Sequence, residues 1–242
     1  MGLARAMSNR MPGWTAAVAG VLAAIGLTLT PVRGGTPVAA IQPASGQAAG
    51  LNVAFGPQTI WQPSSQAIRE LQMCTSLAAG CIRGVMTADG ASQDAIAFYE
   101  LTGWFLIEIS DTGVVQSGKI LNPWRANENT QPVLLGGIPA VIEPEQEAEQ
   151  VGFNAALMAK AEFRALQMTH PDLLFWAPGP TLEGIDVSPR GGPRFIFRYA
   201  VLDGCHACAR LASVRAAFDF STDGVYFGMI LIDVSPVDTV TP

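Results

Sequence analysis

Histidine is almost missing from this 242-residue sequence, which contains only His170 and His206. A Ser-His-Asp or Cys-His triad therefore has few ways to form, and a metal site at the cysteine pair 205 and 208, which would take three or four ligands, has only His206 and the distant His170 as imidazole ligands. No G-x-S-x-G, H-E-x-x-H or Walker pattern occurs, so the usual hydrolase, metalloprotease and phosphate-loop signatures are excluded. Basic residues are also scarce, fourteen Lys and Arg against twenty acidic residues. A nucleic-acid or anionic-membrane partner needs a basic footprint, and this chain offers none. No second apolar run of membrane-spanning length follows Thr30.

What is present begins with the first forty residues. Met1 to Arg10 carry Arg5 and Arg10 and no acid, and WTAAVAGVLAAIGLTLT (Trp14 to Thr30) is uncharged. A basic stretch followed by an apolar one is the layout of a secretory signal. Val38-Ala39-Ala40 supplies a small-x-small cleavage site that leaves Ile41 as the first mature residue. Residues 1–40 are thus expected to be a signal peptide, with an uncleaved N-terminal anchor as the rival, the only reading under which a membrane is a partner. Residues 41–50 read as a flexible linker and 51–242 as a single exported domain, periplasmic or secreted. Three arginines and no acids lie in residues 1–40. The mature chain therefore has eleven basic residues against twenty acidic ones, a net charge of −9 that suits a cationic partner, whether protein or small molecule. No cofactor is implied.

Outside the cytoplasm disulfides persist, and Cys74, Cys81, Cys205 and Cys208 form an even set. Two local bridges, Cys74–Cys81 and Cys205–Cys208, are expected, with a crosswise pairing as the alternative.

The fold class expected is α+β, an antiparallel sheet with a C-terminal β-meander and helices packed on one face. Ser64 can cap a helix that runs through Ile68, Leu71 and Thr75 and ends at Gly80. Ser92 can cap a second that runs to Ile109, with Gly103 as a weak point. VVQSGKIL and PVLLGGIPAVIE read as strands. Residues 145–168, rich in Ala, Glu, Leu and Met, read as one long helix opened by Pro144 and closed before His170-Pro171, which makes His170 a C-terminal cap. The carboxylates Glu143, Glu145, Glu147 and Glu149 read as a solvated helix start. Pro171 to Pro193 reads as a proline- and glycine-rich connection, followed by a three-stranded meander with a turn at Asp223-Gly224.

Two short segments could carry function. Cys205-His206-Ala207-Cys208 has four readings: a dithiol redox pair, part of a metal site, a clamp that displays His206, or a stapled turn. Its strand flanks argue against the first, the lack of further ligands against the second, and a c-type haem is excluded because residue 209 is Ala. The second segment is Pro123-Trp124-Arg125-Ala126-Asn127-Glu128-Asn129. Here Trp124, Arg125, Asn127 and Asn129 could bind a sugar or carboxylate by stacking and directed hydrogen bonds, or could simply build a turn. The expected role is non-catalytic, binding or structural, with thiol–disulfide exchange at Cys205 and Cys208 as an alternative.

GASQDAIAFYELTGWF, PWRANEN, LLGGIPAVI and DGCHACARLASVRAAFDF together resemble a family of exported bacterial proteins. That resemblance implies one domain and assigns no chemistry. Separately, the disulfide-closed loop with His206 inside it, followed by AFDFSTDGVYFGMILIDV, resembles the periplasmic inhibitors of vertebrate-type lysozyme. In those proteins a histidine on such a loop enters the lysozyme cleft. That resemblance implies an inhibitor that presents His206.

Overall fold

Among the described residues, two four-stranded antiparallel sheets, each with its strands in sequential order, carry the architecture, with six α-helices distributed between them. The computed structural model describes residues 55–74, 79–110 and 113–237; the expected signal or anchor and the linker lie outside them. The α+β class and the C-terminal meander stand as expected. The single expected sheet is two, and the helices do not share one face.

The first sheet is built from β1 (Phe105–Ser110), β2 (Gln116–Leu121), β3 (Thr130–Leu135) and β4 (Val141–Ile142). Three helices precede it. Helix α1 (Ser65–Met73) starts at Ser64, whose hydroxyl accepts from the Ala67 amide. It stops at Cys74, so Gly80 does not end it. Gly80 lies instead in the first turn of α2 (Ala79–Ala88). Asp89 just beyond α2 accepts from the Ser64 amide and hydroxyl and from the Trp61 indole. Those hydrogen bonds, Ser64's foremost, lower the Asp89 pKa. Helix α3 (Gln93–Thr102) is capped by Ser92 as expected, but ends seven residues early. Gly103 turns left-handed at φ 77° and closes the helix on Tyr99. Released from the helix, FLIEIS alternates its side chains and pairs with β2. Trp61, Leu71, Ile82, Ile96 and Phe105 fill the core between these helices and β1.

Residues 144–169 form three short helices rather than one: α4 (Pro144–Ala148), α5 (Val151–Ala159) and α6 (Ala161–Thr169). Phe153, Leu157 and Phe163 are all fully buried in one core. Phe153 and Leu157 are four apart and share a helix face, whereas Phe163, ten residues from Phe153, would point about 80° away on a straight helix. The extended break at Lys160 (φ −69°, ψ 132°) brings it back. His170 caps α6, its amide donating to the Leu166 carbonyl.

The second sheet is a four-stranded meander: β5 (Leu173–Val187), β6 (Gly191–Asp203), β7 (Arg210–Ser221) and β8 (Tyr226–Pro236). The segment expected as an irregular connection is thus an edge strand of fifteen residues. Pairing with β6 is interrupted between Trp176 and Thr181. Pro178 and Pro180, which have no N–H to donate, fall in that bulge, and there they break no ladder. Phe195, Phe197, Tyr199 and Val201 of β6 alternate inward with Val214, Ala216 and Phe218 of β7 onto α5 and α6. On the opposite face Arg194 grips the buried Asp219 through two hydrogen bonds of 2.6 and 2.7 Å.

The two sheets meet at a seam. Ile138, in the β3–β4 turn, bridges to the β7–β8 turn: its amide donates to Gly224 and its carbonyl accepts from Tyr226. Gly137 allows the approach, since a Cβ there would lie 2.8 Å from the Gly224 carbonyl oxygen.

Candidate functional site

The Pro123–Asn129 segment is the loop between β2 and β3, and its residues part company. Asn122 starts it by accepting the Trp124 amide on its side chain, and its own amide closes the loop on the Asn129 carbonyl. Trp124 turns inward, where its indole donates to the Leu71 carbonyl and its ring leans on Phe105. Arg125 makes a two-pronged pair with Glu145 at 3.1 and 3.0 Å. Both residues are therefore engaged by the fold, and neither opens onto a cavity described below. Asn127 and Asn129 are exposed.

The acidic helix start is not solvated as expected. Glu143 is buried, Glu145 is held by Arg125, and Glu147 accepts from the buried Tyr226 hydroxyl; Glu149 alone of the four is exposed. Burial raises the pKa of both Glu143 and Glu145, in the latter against the pull of Arg125.

Glu128 of the same loop reaches across the seam. It is the one non-glycine residue with positive φ among those described, at 44°, a conformation that costs energy and needs its surroundings to hold it. Its Oε1 accepts the Trp176 indole N–H at 3.2 Å and lies 2.5 Å from His206 Nε2. A carboxylate oxygen can only accept, so Nε2 carries the hydrogen. The imidazole also lies against the Trp176 ring, with centroids 4.8 Å apart and planes at 35°. Gly179 in the β5 bulge is needed twice over: it has φ 64°, and a Cβ there would meet Glu128 Cγ at 2.9 Å.

His206 is delivered by the Cys205-His206-Ala207-Cys208 turn between β6 and β7. The turn is closed by the Cys205–Cys208 disulfide and by the Cys208 amide on the Cys205 carbonyl. The second bridge joins Cys74 to Cys81, so both pairings are local and the crosswise one does not occur. A strand follows Cys208, not the helix whose N-terminus lowers a thiol pKa in dithiol redox sites. Nor does His206 project as a free finger, since its ring is folded back onto Trp176 and Glu128. His170 stands apart, with Nδ1 3.3 Å from Asp203. Among the described residues, no group of three or more His, Cys, Asp or Glu could hold a metal ion.

Beside this corner, a cavity of about 320 Å³ opens between the first sheet and the β5 bulge. Ser117, Thr130, Gln131 and Thr181 contribute polar groups, and Pro132 and Pro180 an apolar wall. Its two charges, Glu108 and Lys119, are paired cross-strand at 2.6 Å. Gln131 is only 3% exposed and donates to the Glu128 carbonyl at 3.5 Å. Cavity and corner thus lie on neighbouring stretches of chain, the end of the β2–β3 loop with the start of β3 and the β5 bulge.

His206 stands out in the sequence, but its partners do not. Glu128 lies inside PWRANEN with nothing in the sequence to mark it, and Trp176 lies in a stretch that reads as connection. An isolated Trp among prolines and glycines was the available signal. Compared with family profiles, curated proteins and solved structures, the chain matches none of them.

Proposed function

We propose that this chain is an exported, non-catalytic binding protein whose ligand occupies the cavity at the seam of the two sheets. Export is supported by the basic-then-apolar N-terminus and by the two disulfides, which suit an oxidising compartment. The observation that carries the binding reading is the cavity itself, a concave site with a few convergent polar groups at the junction of two layers. Its polar groups are hydroxyls and an amide, and its charges neutralise each other, so the ligand class is a small neutral molecule bearing hydroxyl or amide groups. The test is thermal unfolding of the oxidised protein in the presence of millimolar mono- and disaccharides, nucleosides and neutral amino-acid amides. At least one of these raises Tm in the wild type and has no effect in Thr181→Trp, which fills the cavity from the β5 side. A panel that stabilises neither protein, or both alike, contradicts the proposal.

A further inference from the structure

We infer that the Glu128–Trp176 corner is a guanidinium-binding site that the protein keeps occupied with its own His206, whose side chain acts as a displaceable plug carried on the disulfide-closed turn. The inference is independent of what fills the cavity.

The way His206 sits defines the chemistry of the place it fills. A flat nitrogen ring lies against an indole, with one N–H directed at a carboxylate oxygen. A guanidinium has the same features: it is planar, stacks on aromatic faces and donates to carboxylates. It also has something the imidazole lacks here, a second parallel N–H able to form a fork. Glu128 has room for that second bond. Its Oε1 takes both Trp176 and His206, while Oε2 has no hydrogen-bond partner among the described residues. Exchanging imidazole for guanidinium thus keeps the contact with the indole ring and adds one charge-assisted hydrogen bond.

The plug can leave. The His206 side chain is 41% exposed and that of Glu128 21% exposed, and His206 sits on a four-residue turn whose ends are tied by Cys205–Cys208 rather than in a strand. Rotation about the His206 side chain alone empties the corner while the bridge and β6–β7 pairing stay in place. What remains is an aromatic face beside a carboxylate fixed by the strained Glu128 backbone and by the Trp176 indole hydrogen bond. The net charge of −9 for residues 41–242 favours approach of a cation. Because a ligand binds only the fraction of molecules with the plug out, His206 lowers the apparent affinity by that fraction. A guanidinium with further contacts nearby, such as an arginine side chain on a peptide, is the natural occupant.

The test is an NMR titration of the oxidised protein with N-methylguanidinium chloride at constant ionic strength, followed at the Trp176 indole N–H. Ethylammonium chloride serves as the non-planar cation. His206→Ala is expected to bind N-methylguanidinium at least tenfold more tightly than the wild type and to prefer it to ethylammonium. Glu128→Gln is expected to abolish binding in both backgrounds. If Glu128→Gln does not fold, Glu128→Asp, which keeps the charge but shortens its reach, is expected to weaken binding at least fivefold. A His206→Ala protein that binds no better than the wild type, or that does not distinguish the two cations, overturns the inference. So does binding that survives the loss or shortening of Glu128.

Discussion

The two sheets solve the same problem by different means. Strands β5 to β8 run to 15, 13, 12 and 11 residues, and their inward faces form one continuous core with α5 and α6. Strands β1 to β4 have 6, 6, 6 and 2 residues; Leu134 and Ile142 join that larger core, while most of the other apolar side chains around these strands divide into two smaller clusters. Long strands bury enough surface to hold themselves; short ones need staples. The first sheet's staples are the Cys74–Cys81 bridge with Cys74 buried in the helical core, the Asp89 link from α2 back to α1, and the Arg125–Glu145 pair that ties the β2–β3 loop to α4. The second sheet's own disulfide lies outside its core, at the surface, where it shapes a turn. The same bond type therefore holds structure in one half and positions a side chain in the other.

This contrast can be broken by experiment. Phe218→Ala empties the middle of the larger core, where Phe218 meets Phe197 edge-on and stacks on Tyr226, and should destabilise by about 3–5 kcal/mol in urea unfolding. Replacing Cys74 and Cys81 together by Ala should cost about 2–4 kcal/mol, since the unfolded chain regains the entropy that the bridge removes and a buried side chain is shortened. The Cys205 and Cys208 double replacement should cost about 1–2 kcal/mol, because a shorter loop at the surface constrains less. If the second pair costs more than the first, the contrast between structural and positioning bridge fails. Arg125→Ala leaves Glu145 half-buried without its cation and should cost about 2 kcal/mol, read as a lower urea midpoint with unchanged slope.

The smallest effect is the pH profile. Glu143 and Glu145 have pKa values raised in the folded state, so the stability linked to them is complete below the ordinary glutamate range and is lost as pH rises through their folded pKa values. Asp89 and Asp233, held by Ser64 and Arg215 respectively, have lowered values. Their stabilisation is present above the ordinary aspartate range and is lost as pH falls through their folded pKa values. Stability should therefore rise slightly from pH 7 to 5 and fall towards pH 3. Glu143→Gln should flatten the first step and Asp233→Asn should reduce the second, as urea midpoints at the three pH values will show.

The features that local chemistry decides were readable from residues alone. Ser64 and Ser92 cap their helices, Asp223-Gly224 makes the last hairpin, and both disulfides join near neighbours. What was not readable depends on contacts made at a distance. Nothing near Lys160 forbids a straight helix, and the break exists because Phe163 has to reach the core that Phe153 and Leu157 already fill. Pro178 and Pro180 argue against a strand until β5 is known to be an edge with a bulge at that point. Glu143 to Glu147 look solvated until Arg125 and Tyr226 arrive from elsewhere in the chain. The candidate site was half legible for the same reason. His206 stands out by its rarity and its cysteines, whereas Glu128 and Trp176 acquire meaning only when the seam brings residues 48 and 78 positions apart onto one carboxylate oxygen.

The central claim is that the seam of the two sheets is the binding face. Backbone amide NMR of the oxidised protein, titrated with whichever compound raises Tm most, tests it most directly. The account predicts shifts concentrated at Ser117 to Lys119, Thr130, Gln131, Thr181 and Leu182, the residues that wall the cavity. Shifts that spare those residues and fall instead on the outer faces of α5 and α6, or on none, would contradict it.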